Sequence, residues 1–241
     1  MKSHSGFTLI ELAIVLVIVT ILVGGLAVPL SAQIEARRIG ETRKAMEAIH
    51  DTLIGYAMSN TVTVGGVTRH FLPCPDTNND GREETRDAIS GACTAERGGL
   101  PWITLGLKGD DAWGNRYTYA VSPGFSNAKN GFTSDPITPA TLNVYINADC
   151  IAPVVMENVP AVVVSHGPQG RGALNMNGGT PLAPASVAAD ERQNLNVASA
   201  SLPCANTNFV SHNPTANFDD LITWLSSSEL FSRVCPSGGC L

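Results

Sequence analysis

The apolar positions of the chain change their pattern twice along its length. No charged residue occurs from Leu12 to Ile34, and these 23 residues would rise about 35 Å as a helix at ~1.5 Å per residue. That length exceeds the ~30 Å hydrocarbon core of a bilayer, so the segment is long enough to span one. From Ile34 to Met58 apolar residues recur at steps of three, four and seven, which predicts an amphipathic helix.

After Ser59 short alternating segments replace the helical pattern, and most of the 23 glycines and 15 prolines lie there. This composition predicts a loop-rich, mainly β domain. The predicted strands are 61–64, 67–72, 117–121, 142–146, 159–164 and 221–225, followed by a short helix around 227–233. The predicted fold class is therefore α+β: a long N-terminal α-helix packed on an antiparallel β-sheet with disulfide-tied loops.

The six cysteines form an even set downstream of the apolar segment, and none stands in a CxxC pair. This usage indicates an oxidising compartment and about three disulfides, whereas buried free thiols in a cytosolic protein are the alternative. Six cysteines allow 15 pairings, so the connectivity stays open. One arrangement joins Cys74 to Cys93, Cys150 to Cys204, and Cys235 to Cys240.

Composition excludes some classes of protein. With 44% hydrophobic and 15% charged residues, the chain is too apolar for a disordered protein. Its formal net charge is −6 and it has no extended basic run, so nucleic-acid binding through phosphate neutralisation is not indicated.

Glu11 lies just inside the apolar run, where a carboxylate costs a few kcal/mol on membrane-insertion scales. Two interpretations of the N-terminus compete. A conventional secretory signal would end at a small-x-small cleavage site, which Gly25-Leu26-Ala27 offers. A signal that is only discarded has no use for an ionisable residue at this position, so Glu11 favours a segment that keeps a function.

The stretch Gly6-Phe-Thr-Leu-Ile-Glu-Leu12 resembles the cleavage and methylation motif of type IV prepilins and type II secretion pseudopilins. The resemblance implies that a membrane prepilin peptidase cuts between Gly6 and Phe7 and methylates the new amino terminus of Phe7. It also implies that Glu11 pairs with the amino terminus of a neighbouring subunit. A buried carboxylate is tolerable when it is paired, and the α-amine of the next protomer is a suitable cation.

The resemblance sets the expected domains and location. Residues 1–6 are a leader peptide, 7–59 a spine helix with its transmembrane half at 7–34, and 60–241 an extracytoplasmic globular domain. The protein is expected to be a single-pass inner-membrane protein with a periplasmic C-terminal domain. Arg37, Arg38, Arg43 and Lys44 follow the apolar segment, and the positive-inside rule alone predicts the opposite orientation. The cysteine set is given more weight because it covers the whole domain.

A second stretch, Asp111-Ala-Trp-Gly-Asn-Arg-Tyr117, is similar to the Asp-Pro-Trp-Gly-Asn-Pro-Tyr segment of major pseudopilins. In that family it introduces the antiparallel sheet that lies across the spine helix. Independently of the resemblance, Trp113-Gly-Asn115 is a turn signal followed by a strand. Trp102 and Trp113 are expected in the core.

One loop matches the opening of a calcium site, with oxygen donors at alternate positions and a glycine at the sharp turn. The candidate ligands are Asp76, Asn78, Asp80, Arg82 through its backbone carbonyl, and Asp87. Asp87 stands where a calcium loop has glutamate, and flanking helices are not evident. The alternative is an acidic turn whose side chains cap their own backbone. Calcium is the one cofactor considered.

Ser165 beside His166, with Asp190 or Asp219 further on, suggests a hydrolase. The stretch lacks the first glycine of a Gly-x-Ser-x-Gly elbow, and adjacent residues on a strand point to opposite faces. We therefore expect no enzyme and no catalytic residues.

The expected function is a pilin or minor pseudopilin of a type IV pilus or type II secretion filament, in the periplasm or at the cell surface. Its expected partners are other pilin or pseudopilin subunits, prepilin peptidase and the inner membrane. The length of 241 residues exceeds that of a compact major subunit. The alternative is a membrane-anchored extracytoplasmic adhesive or ligand-binding protein, which would use residues 168–184 or the acidic Asp76 loop.

Overall fold

The computed structural model describes residues 8–134, 137–178, 188–195, 202–235 and 240. In chain order the elements are α1 (Leu9–Ser59), β1 (Thr61–Val64), β2 (Val67–His70), β3 (Arg97–Gly99), α2 (Trp102–Leu105), β4 (Thr118–Val121), α3 (Pro123–Ser126), β5 (Leu142–Tyr145), β6 (Val154–Val159), β7 (Ala161–Ser165), α4 (Ala189–Gln193), β8 (Asn208–Val210), β9 (Leu221–Leu225) and α5 (Ser227–Val234). The predicted α+β class is confirmed.

Two compact units, residues 1–40 and 41–241, divide the chain within α1. In its described residues the first unit contains the N-terminal part of α1. The second unit contains the C-terminal part of α1 and every other element. Its core includes Met46, Ile49 and Leu53, which the three- and four-residue spacing predicts to share a face.

The main sheet of the second unit has the order β3-β4-β7-β9, and all its pairs are antiparallel. Side chains on successive strand positions face opposite sides. On one side Tyr119 and Val163 pack into the cluster that holds the α1 residues. On the other, Val162 and Val164 pack into a second cluster with Phe209. The central strands are therefore buried on both faces, which explains the apolar runs at 119–121 of β4 and 161–164 of β7.

A second sheet of order β6-β5-β8 supplies the rest of that second cluster. Its β5–β6 pair is antiparallel, but β5 and β8 are parallel. More than sixty residues separate these two strands, enough for the crossover that a parallel pair requires. The second unit is thus layered, with the 41–59 helix, the main sheet and the second sheet stacked in that order.

The β1–β2 hairpin turns at Gly65 and Gly66, whose φ angles of 61° and 84° place both in the left-handed region. A two-residue turn with positive φ at both positions matches the twist of the strands it joins. Glycine adopts these angles without a Cβ clash, so the Gly-Gly sequence defines the turn.

All six cysteines are paired, and the expected three disulfides are present. Their partners are Cys74 with Cys93, Cys150 with Cys204, and Cys235 with Cys240. The first closes the acidic loop, the second links the segments after β5 and before β8, and the third follows α5. Each bond therefore fixes loops rather than the core strands.

Candidate functional site at the N-terminus

Helix α1 begins with a capping box formed by Thr8 and Glu11. The backbone N and the Oγ1 of Thr8 both donate to Glu11 Oε2 at 2.8 Å, and the Glu11 N–H donates back to Thr8 Oγ1 at 3.3 Å. This exchange satisfies N–H groups that a helix start otherwise leaves unpaired. The Thr-x-x-Glu spacing of this cap is present in the sequence, a signal overlooked when Glu11 was assigned to assembly alone.

The carboxylate of Glu11 is exposed, and only one of its two oxygens takes part in this cap. Both bonds from Thr8 end on Oε2, and among the described residues Oε1 accepts no hydrogen bond. The positive end of the helix macrodipole lies at the same position and favours a negative charge there. The predicted cleavage and methylation positions, Gly6 and Phe7, lie outside the described residues. Their roles, and that of Glu11 in assembly, remain predictions.

The first turns of α1 expose large apolar side chains on every face. Leu9 is 87% exposed and Val19, the most covered of this group, is still 47% exposed. The group comprises Leu9, Ile10, Leu12, Ile14, Val15, Leu16, Val17, Ile18, Val19, Ile21 and Leu22. A helix that is apolar all round is stable when lipid or other chains cover it.

Across the parts of the chain that the structure describes, no helix combines the length and apolarity needed to cross a membrane. The transmembrane half expected at 7–34 thus remains a prediction from the sequence.

In the candidate calcium loop the side-chain oxygens accept hydrogen bonds from backbone N–H groups of the loop itself. Asp76 accepts from Asn78 and Asn79 at 3.1 and 2.7 Å through Oδ1, and from Gly81 at 2.8 Å through Oδ2. Burial raises the pKa of Asp76, while these three N–H groups lower it. This is the self-capping turn considered as the alternative to calcium.

The other candidate ligands follow the same pattern. Asn78 Oδ1 accepts from Asp80 N, and Asp80 Oδ1 accepts from Arg82 N. Asp87 caps a separate turn, with the N–H groups of Ile89 and Ser90 on its Oδ1. Within the described ranges no group of three or more His, Cys, Asp or Glu side chains is placed to hold a metal ion. Calcium at this loop is therefore not supported.

The predicted turn at Trp113-Gly-Asn115 is organised by the buried carboxylate of Asp111. Its Oδ1 accepts from the N–H groups of Trp113 and Asn115, and its Oδ2 accepts from Ser165 Oγ at 2.7 Å. The neighbouring Ala112 N–H donates to Thr42 Oγ1 on α1 at 3.2 Å. The turn therefore connects the 41–59 helix to the end of β7, a contact that the sequence analysis did not anticipate.

Ser165 and His166 do not form a nucleophile–base pair. Ser165 donates to Asp111, whereas the Nε2 of His166 bonds Thr118 Oγ1 at 2.8 Å and its Nδ1 lies 3.6 Å from Asp220 Oδ1. Both side chains are fully buried. Because a catalytic serine must be within reach of both its base and a substrate, these contacts give the hydrolase hypothesis no support.

In the comparison with known proteins, one family model matches the chain. No curated protein and no solved structure gives a significant match to the chain. Residues 1–27 match the prokaryotic N-terminal methylation motif, which covers the predicted cleavage site, Glu11 and most of the exposed apolar stretch. The chain thus carries the class III signal of the type IV pilin and pseudopilin family, and its N-terminus is that of a pilin-like precursor.

Proposed function

We propose that the chain is a structural subunit, a pilin or minor pseudopilin, of a type IV pilus or type II secretion filament. The observation that carries the proposal is Glu11 at the start of a helix whose apolar side chains are exposed on every face, inside the matched methylation motif. A subunit that functioned alone would leave this surface uncovered. Lipid covers it before assembly, and neighbouring subunits cover it afterwards.

Processing prepares the chain for assembly. Prepilin peptidase removes residues 1–6 and methylates Phe7, which leaves residues 7–59 as the spine and 60–241 as the extracytoplasmic domain. The precursor is anchored in the inner membrane through residues 7–34, with the globular domain in the periplasm. All six cysteines in that domain are in disulfides, as an oxidising compartment allows.

Assembly uses the oxygen of Glu11 that the cap leaves open. Cleavage leaves a cationic α-amine on Phe7, two residues before the start of α1 in the sequence, and the positive end of a helix macrodipole disfavours a nearby cation. The Glu11 carboxylate of a neighbouring subunit relieves that charge. The same contact supplies a cation to a carboxylate that would otherwise have only the cap in an apolar filament core, where the loss of either partner of an ion pair is strongly destabilising.

The first test is the mass of the mature N-terminus. We expect a chain that begins at methylated Phe7, measured by mass spectrometry of membrane-extracted protein. A chain that retains Met1, or that begins near Ala27, would contradict processing at Gly6. It would instead fit a membrane-anchored or secreted binding protein.

The second test is Glu11→Ala, with filament incorporation measured by shearing and fractionation. We expect normal membrane insertion and processing but at least a tenfold loss of incorporation. Glu47→Ala is the matched control, because Glu47 is an exposed glutamate on the same helix in the globular unit. Thr8→Val removes the capping hydroxyl but keeps the carboxylate, so it should still incorporate. If Thr8→Val failed as severely as Glu11→Ala, capping rather than subunit pairing would explain the defect.

A further inference from the structure

Helix α4 is a five-residue element that is fastened to the globular unit by polar contacts. Gln193 donates through Nε2 to the carbonyls of Ala205 and Asn208 at 2.9 and 2.8 Å. Asn194, which follows the helix, donates to Val210 O and to Asp220 Oδ2. Ala189 is the one apolar side chain of this helix, so its position depends mainly on polar contacts.

Glu191 is the exception among these contacts. Its side chain is 1% exposed, and neither carboxyl oxygen has a hydrogen-bond partner in the described structure. Asp219 Oδ1 and Asp220 Oδ1 are buried and unpartnered in the same way. After burial and the charges of Asp220 and Asp219, the interaction of the Glu191 side chain with that of Asp219 is among the causes that raise the pKa of Glu191. Four buried carboxyl oxygens of these three residues therefore lack a hydrogen-bond donor, which is costly unless a proton or a cation is present.

The charged groups around this cluster come from several elements. Arg171 attracts both Glu191 and Asp219, and His166 at the end of β7 lies 3.6 Å from Asp220. Buried Arg97 of β3 interacts with Asp220, but its guanidinium donates to the carbonyls of Gln193 and Asn206 and stacks 4.1 Å above the Phe209 ring. On α4 itself, Asp190 bonds His212 and Arg192 lies in the last turn. None of these side chains donates to Glu191.

A metal ion is the first alternative to a proton. A divalent cation needs at least three well-placed ligands, and over the described residues no group of His, Cys, Asp or Glu meets that requirement. A single proton between two carboxyl groups joins one oxygen of each in a hydrogen bond and needs no further ligands. It converts one acceptor into a donor and halves the local negative charge.

We propose that Glu191 and Asp219 share one proton, and that this carboxyl pair is a pH-sensitive latch holding α4 on the segment that precedes β9. Asp219 keeps one oxygen for this proton, because its Oδ2 accepts the Gln169 N–H at 2.8 Å whereas its buried Oδ1 has no partner in the described structure. Loss of the proton places two adjacent carboxylates, with Asp220 beside them, in a buried site. The helix then separates from the segment to solvate them.

The direction of the pH effect follows from proton linkage. Burial, followed by the charges of Asp220 and Asp219, raises the pKa of Glu191 from 4.5 to about 7. The docked state then binds the proton more tightly than the undocked state does. The stabilisation is complete below about pH 4.5 and is lost as the pH rises toward 7. These two values predict that the undocking equilibrium constant rises roughly seventyfold between pH 5 and pH 8.

Hydrogen–deuterium exchange on the full mature chain in detergent tests the latch. The readout is protection of the Arg192 and Asn194 amides, which bond the carbonyls of Ala188 and Glu191. After correction for intrinsic exchange, we expect wild-type protection to fall roughly seventyfold from pH 5 to pH 8. In Glu191→Gln the protection of these amides should not change with pH, because the glutamine amide donates to Asp219 at every pH. Glu157→Gln, at an exposed position on β6, should titrate like wild type.

A second variant and a metal titration distinguish a shared proton from an ionised carboxylate and from a bound cation. In Asp219→Asn the new side-chain amide can donate to Glu191 and still accept from the Gln169 N–H. Amide protection in this variant should therefore also be independent of pH. Wild-type protection that does not change with pH would overturn the proposal, even if neither variant folds. Protection that is lost in Glu191→Gln at pH 8 would show a stabilising ionised carboxylate and overturn it as well. Wild-type protection at pH 8 that rises with calcium and falls with EDTA would assign the site to a cation instead.

Discussion

The two units of the chain use polar and apolar residues in opposite ways. In residues 8–22 the apolar side chains are exposed and the single carboxylate, Glu11, is half satisfied. In the described part of residues 41–241 a large apolar core is buried, and carboxylates such as Asp111 accept several internal hydrogen bonds. The second unit can therefore be stable by itself, whereas the first requires lipid or other subunits. This division suits the proposed filament subunit, whose assembly must not disturb the fold.

The largest expected contrast comes from truncating one apolar side chain in each unit. Phe132 is fully buried against Phe125 and Phe231, so Phe132→Ala should destabilise the globular unit by about 4 kcal/mol. Ile18 is 50% exposed, so Ile18→Ala should leave that unfolding transition unchanged. Denaturant unfolding followed by tryptophan fluorescence measures both. A loss above ~1 kcal/mol in Ile18→Ala would show that the two units are not energetically separate.

The disulfides should give the next largest effect, and only in the globular unit. Replacing both Cys74 and Cys93 with serine opens a loop closed over 19 residues and should cost about 3 kcal/mol. Replacing Cys235 and Cys240 opens a loop closed over five and should cost about 2 kcal/mol. Thermal unfolding under non-reducing conditions compares the two. The reverse ranking would contradict an entropic origin of the difference.

Much of this division could be predicted from the sequence, because it rests on periodicity. The uncharged run after Glu11, the helical spacing of Met46 to Leu53 and the alternating strands are local patterns, and the corresponding helix and strands are present. The hairpin at Gly65-Gly66 could also be predicted from the sequence, because glycine takes positive φ there without strain.

Other elements depend on distant contacts that no local pattern reveals. Strand β3 is Arg97-Gly-Gly99, a sequence with low strand preference that is held by pairing to β4. The predicted strand 159–164 is in fact two strands in different sheets, β6 ending at Val159 and β7 starting at Ala161. The carboxyl pair of Glu191 and Asp219 joins residues 28 positions apart, so its chemistry appears only in the folded chain.

A smaller effect is expected at the capping box, and it should appear in the first unit alone. Thr8→Val removes the hydroxyl that exchanges hydrogen bonds with Glu11 and should cost the helix start about 1 kcal/mol. Amide exchange of the first turn in detergent should accelerate roughly fivefold, the equivalent of that energy. The matched variant Thr52→Val lies mid-helix in the globular unit and should leave the first turn unchanged. Equal acceleration in both variants would contradict a local cap.

The smallest effect concerns the surface where α5 meets the C-terminal part of α1. Arg233 Nη1 lies 2.8 Å from Asp51 Oδ1, and both side chains are substantially exposed. Because solvent screens such a pair, Arg233→Ala should destabilise the globular unit by less than ~1 kcal/mol, and the loss should vanish at about 1 M salt. Asp51→Ala should lose the same amount, and the double variant no more than either single one, in denaturant unfolding at low and high salt. Additive losses would mean that the two charges act independently. Helix α5 would then be held in the globular unit by its buried face alone, and the ion pair would contribute nothing.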